Sequence, residues 1–280
     1  MAVELPALVD DLLAESDALD ALLDGLRLEQ WLLATPATGW NVADQVNHLA
    51  YFDGATLQSL MEPEQFRVDA VALTAGRENF SDHVAAEYRG RTGAETHGWF
   101  RSARAALVDA YRKVDPRRRV PWFGPDMTPA SSVTARLMET WAHGQDIVDA
   151  LGAERAPTAR LRHVADLGIR AMPYSFSVND RSPPTEAITV ELAAPDGGLW
   201  TWGLAETVNR VHGDALDFCL VVTQRRHFED TGLVVVGPVA HAWISIAQAF
   251  AGPAGPGRPR SVSHPPLAAD LELPFREAGR

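Results

Sequence analysis

The sequence predicts an α+β chain in which a front part of four amphipathic helices, packed as a bundle, precedes a smaller part of mixed helix and strand. Leucines at Leu5, Leu8, Leu12, Leu13, Leu19, Leu22, Leu23 and Leu26 recur at three- and four-residue steps with acidic residues between them, the period of a helix that buries one face. Further on, Ala187-Ile188-Thr189-Val190-Glu191-Leu192 alternates like a strand, Asp196-Gly197-Gly198 reads as a hairpin turn, and Leu199-Trp200-Thr201-Trp202 resumes the alternation. Strand signals after an all-helical half argue for a second, α+β domain. A length of 280 residues also exceeds the usual size of one domain.

Taken in order, residues 3 to 31 read as the first helix, which Thr35-Pro36-Ala37-Thr38-Gly39 ends. Trp40 opens the second, running through Val46, Leu49, Phe52 and Leu57 to Met61, where Glu62-Pro63 stops it. Residues 64 to 80 show no clean period and read as a loop with a short helical turn. A third helix is expected from Asp82 to Lys113, because Val84, Tyr88, Trp99, Ala103, Leu107 and Ala110 keep to one side despite three glycines. Arg117-Arg118-Arg119 reads as a solvated turn. Val120 to Pro129 is an apolar connector punctuated by prolines, whose aromatic residues either line a pocket or cover a core edge. The fourth helix spans Ala130 to Ala150 and is closed by Leu151-Gly152. This gives an up-down-type bundle over residues 1–152.

The α+β part is expected over residues 153–265. After the linker Ala156-Pro157-Thr158 it has a helix at Arg160 to Ala171, a loop at Ser182-Pro183-Pro184, the hairpin, and helices at Ala215 to Thr223 and Ala240 to Phe250. Residues 251–260 are rich in glycine and proline, and residues 266–280 read as a tail.

A net charge of -12 and a pI near 5.2 argue against nucleic-acid or anionic-membrane binding and leave a small molecule as the expected partner. Cys219 is the only cysteine, so there is no internal disulfide and no cysteine-rich zinc knuckle, as suits a reducing cytosol. With no basic leader and no apolar run of roughly 18 residues, the chain is expected to be soluble and cytoplasmic. Lys113 is the sole lysine among 25 basic residues, a hint of a GC-rich genome.

Chemistry concentrates in Arg136-Leu137-Met138-Glu139-Thr140-Trp141-Ala142-His143-Gly144-Gln145-Asp146-Ile147. Four residues apart on a helix, Glu139 and His143 project from one face one turn apart, as two ligands of one metal must. Zinc accepts imidazole nitrogen and carboxylate oxygen, and a catalytic zinc has three protein ligands with a fourth position open. The best third ligand is His48, framed by Asp44, Gln45 and Asn47 on the second helix. The blander alternative is that Glu139 and His143 are an ordinary polar pair. His83, His97, His163, His212 and His264 fall at no ligand-like spacing, whereas His227 and His241 lie near arginines of the second half.

These two stretches, Trp40 through His48-Leu49 and Glu139 through Ile147, resemble the DinB-like bundle at the front of mycothiol-dependent maleylpyruvate isomerases and related actinobacterial proteins. By position, the resemblance implies that His48, Glu139 and His143 hold a divalent metal, usually zinc. It also implies a small α+β domain that completes the substrate pocket. Gly213 through His227 resembles that domain's helix ending in an arginine that faces the active site, here Arg226 or Arg225. The run Arg225-Arg226-His227 and Trp200-Thr201-Trp202-Gly203 mark a subgroup distinct from the isomerases proper.

The chemistry implied is that of a metal-activated thiolate, since coordination to zinc deprotonates a thiol at neutral pH. With Cys219 inside an apolar helix, the sulfur is expected from mycothiol. It would attack a small anionic electrophile in S-transfer or in thiol-assisted cis-trans isomerisation. Arg136 and Trp141 are candidate cofactor-binding residues, Arg136 for an anionic group, and Asp44 or Asp146 could orient a ligand histidine. A metal-dependent hydrolase with a zinc-bound water and a non-catalytic metal-binding or ligand-sensing protein are the alternatives. Monomer and homodimer both remain open.

Overall fold

The computed structural model describes residues 4–76, 80–205 and 207–261. The expected tail at 266–280 and His264 lie outside the described residues. Helices α1 (Leu5–Asp24), α2 (Leu28–Trp31), α3 (Val42–Met61), α4 (Pro63–Thr74), α5 (Phe80–Glu87), α6 (Gly93–Tyr111) and α7 (Pro129–Leu151) form the first part. Then come α8 (Leu161–Arg170), α9 (Met172–Val178), β1 (Ile188–Ala193), β2 (Leu199–Trp202), β3 (Asn209–Asp214), α10 (Ala215–Val222), β4 (Val234–Val236) and α11 (Pro238–Ile244).

The long helices α1, α3, α6 and α7 pack as a bundle, with α3 against α6 and α7, and α1 against α7 and α6. Local chemistry fixes their ends. Asn41 and Asp44 cap the start of α3 reciprocally, each side chain accepting the other's backbone N–H at 2.9 and 3.0 Å, and Thr92 and Glu95 do the same for α6. Thr128 caps α7 with Pro129 in its first turn, and Gly152 ends it in the left-handed conformation at φ 60°.

The helix directions differ from a simple up-down order. Asn47 meets Thr96 and Asp53 meets Arg104, so α3 and α6 run the same way. The crossover that permits this is the stretch read from sequence as a loop and as the start of one long third helix. Residues 63–74 are in fact α4, and the third helix is broken into α5 and α6 by a turn at residues 88–92. The first helix likewise stops at Asp24, with α2 as a separate turn.

Between its ends the bundle carries one polar node with a residue from each long helix. Buried Arg104 donates from Nε to Asp53 Oδ2 at 2.7 Å, from Nη2 to Asp53 Oδ1 at 3.1 Å and to Thr140 Oγ1 at 3.0 Å, and from Nη1 to Ser16 Oγ. It separates two apolar clusters, one around Leu19, Val46, Leu49, Phe100 and Ile147, the other around Leu8, Leu12, Leu107, Leu137 and Trp141. The second cluster continues without a break into Val190, Val211, Phe218 and Trp243 of the mixed part.

That part is a four-stranded sheet of order β2-β1-β3-β4. The hairpin β1–β2 is antiparallel, with Ala193 opposite Leu199, β1–β3 is parallel, and β3–β4 is antiparallel. Val190, Leu192 and Val211 turn inward on the strands that meet α10, and Trp200 lies under Arg162 of α8; α10 packs on α8, and α8 packs on α7. Strands β3 and β4 and helix α9 carried no clear sequence signal, and the expected helix at 240–250 forms instead as α11, ending at Ile244. The linker is tied down by Arg155 and Arg160, both paired with the buried Glu15 of α1. Among the described residues no helix is long and apolar enough to cross a membrane.

Candidate metal centre

The start of α3 and the middle of α7 bring His48, Glu139 and His143 together. His48 Nε2 lies 3.4 Å and His143 Nε2 3.0 Å from the same oxygen, Glu139 Oε2, and one ligand atom from each residue falls within 4.8 Å of the others. Four ligands at the usual 2.0–2.1 Å around a tetrahedral zinc lie about 3.3 Å apart, so these separations are those of a set that needs little movement to close on an ion. The walls are aromatic. Trp40 stacks on His143 with ring centroids 5.8 Å apart and leans on His48 at 5.3 Å, and Phe52 packs on His48 at 4.5 Å.

Burial, reinforced by the neighbouring His143, pushes the His48 pKa down to about 4, so this ring is neutral at pH 7. Burial alone would raise the Glu139 pKa. Hydrogen bonding to His143 and His48 and the positive charge of Arg136 outweigh it and hold the carboxyl well below the usual range. An ionised carboxylate beside a neutral imidazole is the donor set of a divalent cation, and the three residues fit one.

A sequence-invisible partner sits behind His143, whose Nδ1 is hydrogen-bonded to Gln45 Oε1. Gln45 in turn donates from Nε2 to Thr35 Oγ1 at 2.8 Å, and Thr35 donates to the Trp40 carbonyl at 3.0 Å. Neither aspartate expected to orient a histidine does so. Asp44 caps α3 and pairs with Arg89, and Asp146 is held by Arg225 and Arg258. His48 Nδ1 has no hydrogen-bond partner among the described residues.

Arg136 lies on the same face of α7 one turn before Glu139 and is 5% exposed. Its guanidinium sits over Phe52 at 5.8 Å and Trp122 at 5.6 Å, and Nη1 is buried with no partner among the described residues. Trp122 also stacks on Phe66 with an interplanar angle of 9°, which is the core-edge reading of its connector. Trp141 corrects the expectation for it. Two residues beyond Glu139 it points to the far side of α7, where it belongs to the large core cluster and lies under Arg155.

Arg225 and Arg226 reach α7 but meet carboxylates there: Arg225 Nη2 lies 2.9 Å from Asp146 Oδ2, and Arg226 grips both oxygens of Asp149 at 2.6 and 2.7 Å. With Pro36, Thr38 and Arg258 they line a cavity of about 600 Å³. A larger groove of about 1170 Å³ runs along α3 and α6 past Tyr51 and Trp99 and contains none of the cluster residues. Among the other histidines, His97 pairs with Asp20 at 2.6 Å and His163 with Asp11 at 2.7 Å, while His227 lines the smaller cavity.

Residues 12–148 match the model of the mycothiol maleylpyruvate isomerase N-terminal domain. Two uncharacterized proteins of Mycobacterium tuberculosis, from strains CDC 1551 / Oshkosh and ATCC 25618 / H37Rv, are 45% identical to this chain over 250 residues, covering 89% of it and 97% of their own length. In fold the chain is similar to the crystal structure of the mycothiol-dependent maleylpyruvate isomerase, with a TM-score of 0.57 and 15% identity, covering 83% of this chain and 93% of that one. A histidine-to-alanine mutant of that enzyme superposes with a TM-score of 0.55 at 15% identity, over 80% and 90% of the two chains.

Proposed function

Because this chain belongs to the mycothiol maleylpyruvate isomerase family, we propose that it is a divalent-metal-dependent enzyme that uses mycothiol against a small anionic electrophile. The observation that carries this reading is the convergence of His48, Glu139 and His143 on one point. In it those three residues hold the ion, zinc, within the bundle of residues 1–152, and residues 153–265 complete the substrate pocket. When bound, such an ion lowers the pKa of a thiol so that the thiolate predominates at neutral pH.

The nucleophile comes from outside the chain. Cys219 is fully buried, its thiol donates to the Leu161 carbonyl at 3.4 Å, and burial pushes its pKa far up. It therefore cannot serve as the reactive sulfur. Arg136 supplies the charge for the electrophile's anionic group. A buried guanidinium with an unpaired Nη1 is costly, and a carboxylate lodged between Phe52 and Trp122 would satisfy it. Both arginines of the second half are paired with carboxylates, and Arg225 is the better second contact because its buried Nε has no partner among the described residues.

In the reaction the thiol loses its proton to solvent and its sulfur forms a bond to the electrophilic carbon, the displaced electron pair moving onto the activating group. Rotation, then return of that pair with the C–S bond breaking to expel the thiolate, re-forms the double bond as its cis-trans isomer. Protonation of the displaced pair instead leaves an S-conjugate.

Elemental analysis of the purified protein beside His48→Ala and His143→Ala, with calorimetric titration of mycothiol afterwards, tests the proposal. About one metal per chain that both variants lose, with mycothiol binding only to the loaded form, is the expected result. A metal that survives both substitutions overturns the site. Metal without thiol binding, together with thiol-independent hydrolysis, favours a zinc-bound water instead.

A further inference from the structure

We propose that Gln45 and Thr35 are positioning residues for the metal centre, selecting the tautomer of His143 whose Nε2 is free to bind a cation. The inference rests on reading the cluster as a metal site, and it names residues that are not ligands. Gln45 is 0% exposed, so each end of its amide needs a partner. The orientation of the amide is settled by its neighbours. The single Thr35 hydroxyl proton goes to the Trp40 carbonyl, so Thr35 Oγ1 accepts from Gln45 Nε2, and the Gln45 carbonyl is left facing His143 Nδ1. Turning the amide over would require the same hydroxyl proton to serve both Gln45 and Trp40.

His143 must then carry a proton on Nδ1. Its Nε2 faces Glu139 Oε2 3.0 Å away. A proton between them makes their hydrogen bond and a bound cation takes that proton's place, so the relay, by holding Nδ1 to Gln45, leaves Nε2 as the nitrogen that turns to the ion. His48 offers the contrast, since its Nδ1 has no partner among the described residues.

The relay is anchored in the segment that supplies Trp40. A bridge pairs Ala34 with Asn41, Thr35 N–H donates to the Trp40 carbonyl at 2.8 Å, Trp40 N–H to the Ala37 carbonyl at 3.0 Å, and Val42 N–H to the Leu33 carbonyl at 3.1 Å. Arg258 holds the same loop from outside through the Pro36 carbonyl. One loop therefore sets both the aromatic roof over the histidines and the proton position on one of them.

Long-range proton–nitrogen NMR of the metal-free, full-length protein reads the His143 tautomer directly, and competition with a fluorescent chelator reads zinc affinity. Wild type should show the Nδ1–H form. Gln45→Leu should lose that preference and bind zinc about 10–100-fold more weakly, the usual effect of removing a residue that orients a metal-bound histidine. Gln45→Glu keeps an acceptor at Nδ1 and should retain the tautomer and wild-type or tighter affinity, while Thr35→Val should weaken zinc by less than Gln45→Leu. The proposal is overturned by an Nε2–H tautomer in wild type, or by a folded Gln45→Leu with unchanged tautomer and affinity. If Gln45→Leu does not fold, equal losses in Gln45→Glu and Thr35→Val overturn it and rescue by Gln45→Glu alone sustains it. A wild type that takes up no zinc sinks the proposed function, while the tautomer in the metal-free protein still decides the relay.

Discussion

Removing Asp53 from the polar node should destabilise the bundle about as much as the largest loss of apolar contact there. Its carboxylate, 0% exposed, is the only anion bonded to Arg104 among the described residues, and the Arg104 side chain is itself only 4% exposed. Asp53→Ala leaves a buried guanidinium with hydroxyls alone for partners, which costs about 3–5 kcal/mol. A domain's whole stability is about 5–15 kcal/mol. Replacing both partners is a different matter. In Asp53→Leu/Arg104→Met no orphan remains, because Ser16 still donates to the Leu12 carbonyl at 2.6 Å and Thr140 to the Arg136 carbonyl at 2.7 Å. The double variant should therefore lie within about 1 kcal/mol of wild type or above it. Urea unfolding monitored by circular dichroism reads this as a drop in midpoint of about 1–2 M for the single variant, at a slope of about 3 kcal/mol per M, with recovery in the double. A single variant within about 0.5 kcal/mol of wild type, or a double as damaged as the sum of its parts, would refute the assignment of Asp53 as the essential counter-charge.

Burial and charge set two other outcomes. Cys219 should resist thiol-specific reagents in the native protein and react fully in denaturant, since burial raises its pKa and hides it; rapid native labelling would show that α10 opens. Burial raises the Asp149 pKa, but hydrogen bonds from Arg226 and Gln145 outweigh it, so the folded value lies below the ordinary one. Its stabilising contribution is then complete above the unfolded pKa of about 3.9 and vanishes as pH falls through the folded one. Arg226→Ala should accordingly lower the unfolding midpoint at about pH 6 and by progressively less as the pH falls below the ordinary carboxylate range, and an effect that does not shrink with falling pH would show that the Asp149 charge does not carry it.

The cluster of His48, Glu139 and His143 was legible because two of its members obey helical spacing and the third sits in a polar patch of another amphipathic helix. Its support was not. Gln45 lies 10 residues from Thr35 and 98 from His143, and no local period encodes a loop folding back to join them. Asp44 looked equally suited to orient a histidine, yet a local capping partner and Arg89 claim it first. The break before α6 did have a signal, Thr92 three residues ahead of Glu95, which is a helix start hidden inside an unbroken apolar pattern. Helix α4 had Pro63 at its first position but only Phe66 among its residues is buried, so its period was faint. Strand β3, central in the sheet, offers Val211 as its one large apolar residue and owes its place to β1 and β4 on either side.

Arg258 joins the Pro36 carbonyl and Asp146 across 222 and 112 residues of sequence. Translation proceeds from the amino end and earlier parts fold first. Gln45, Trp40 and Phe52, which touch His48 or His143, are therefore synthesised well before the guanidinium that fastens the loop above them. A nascent chain can assemble its helices and bring the three residues together while that loop is held by its backbone bonds, Gln45 and Arg89 but not yet by Arg258. Closure waits for residue 258, so chains cut short of it would keep the cluster and lose the fastening.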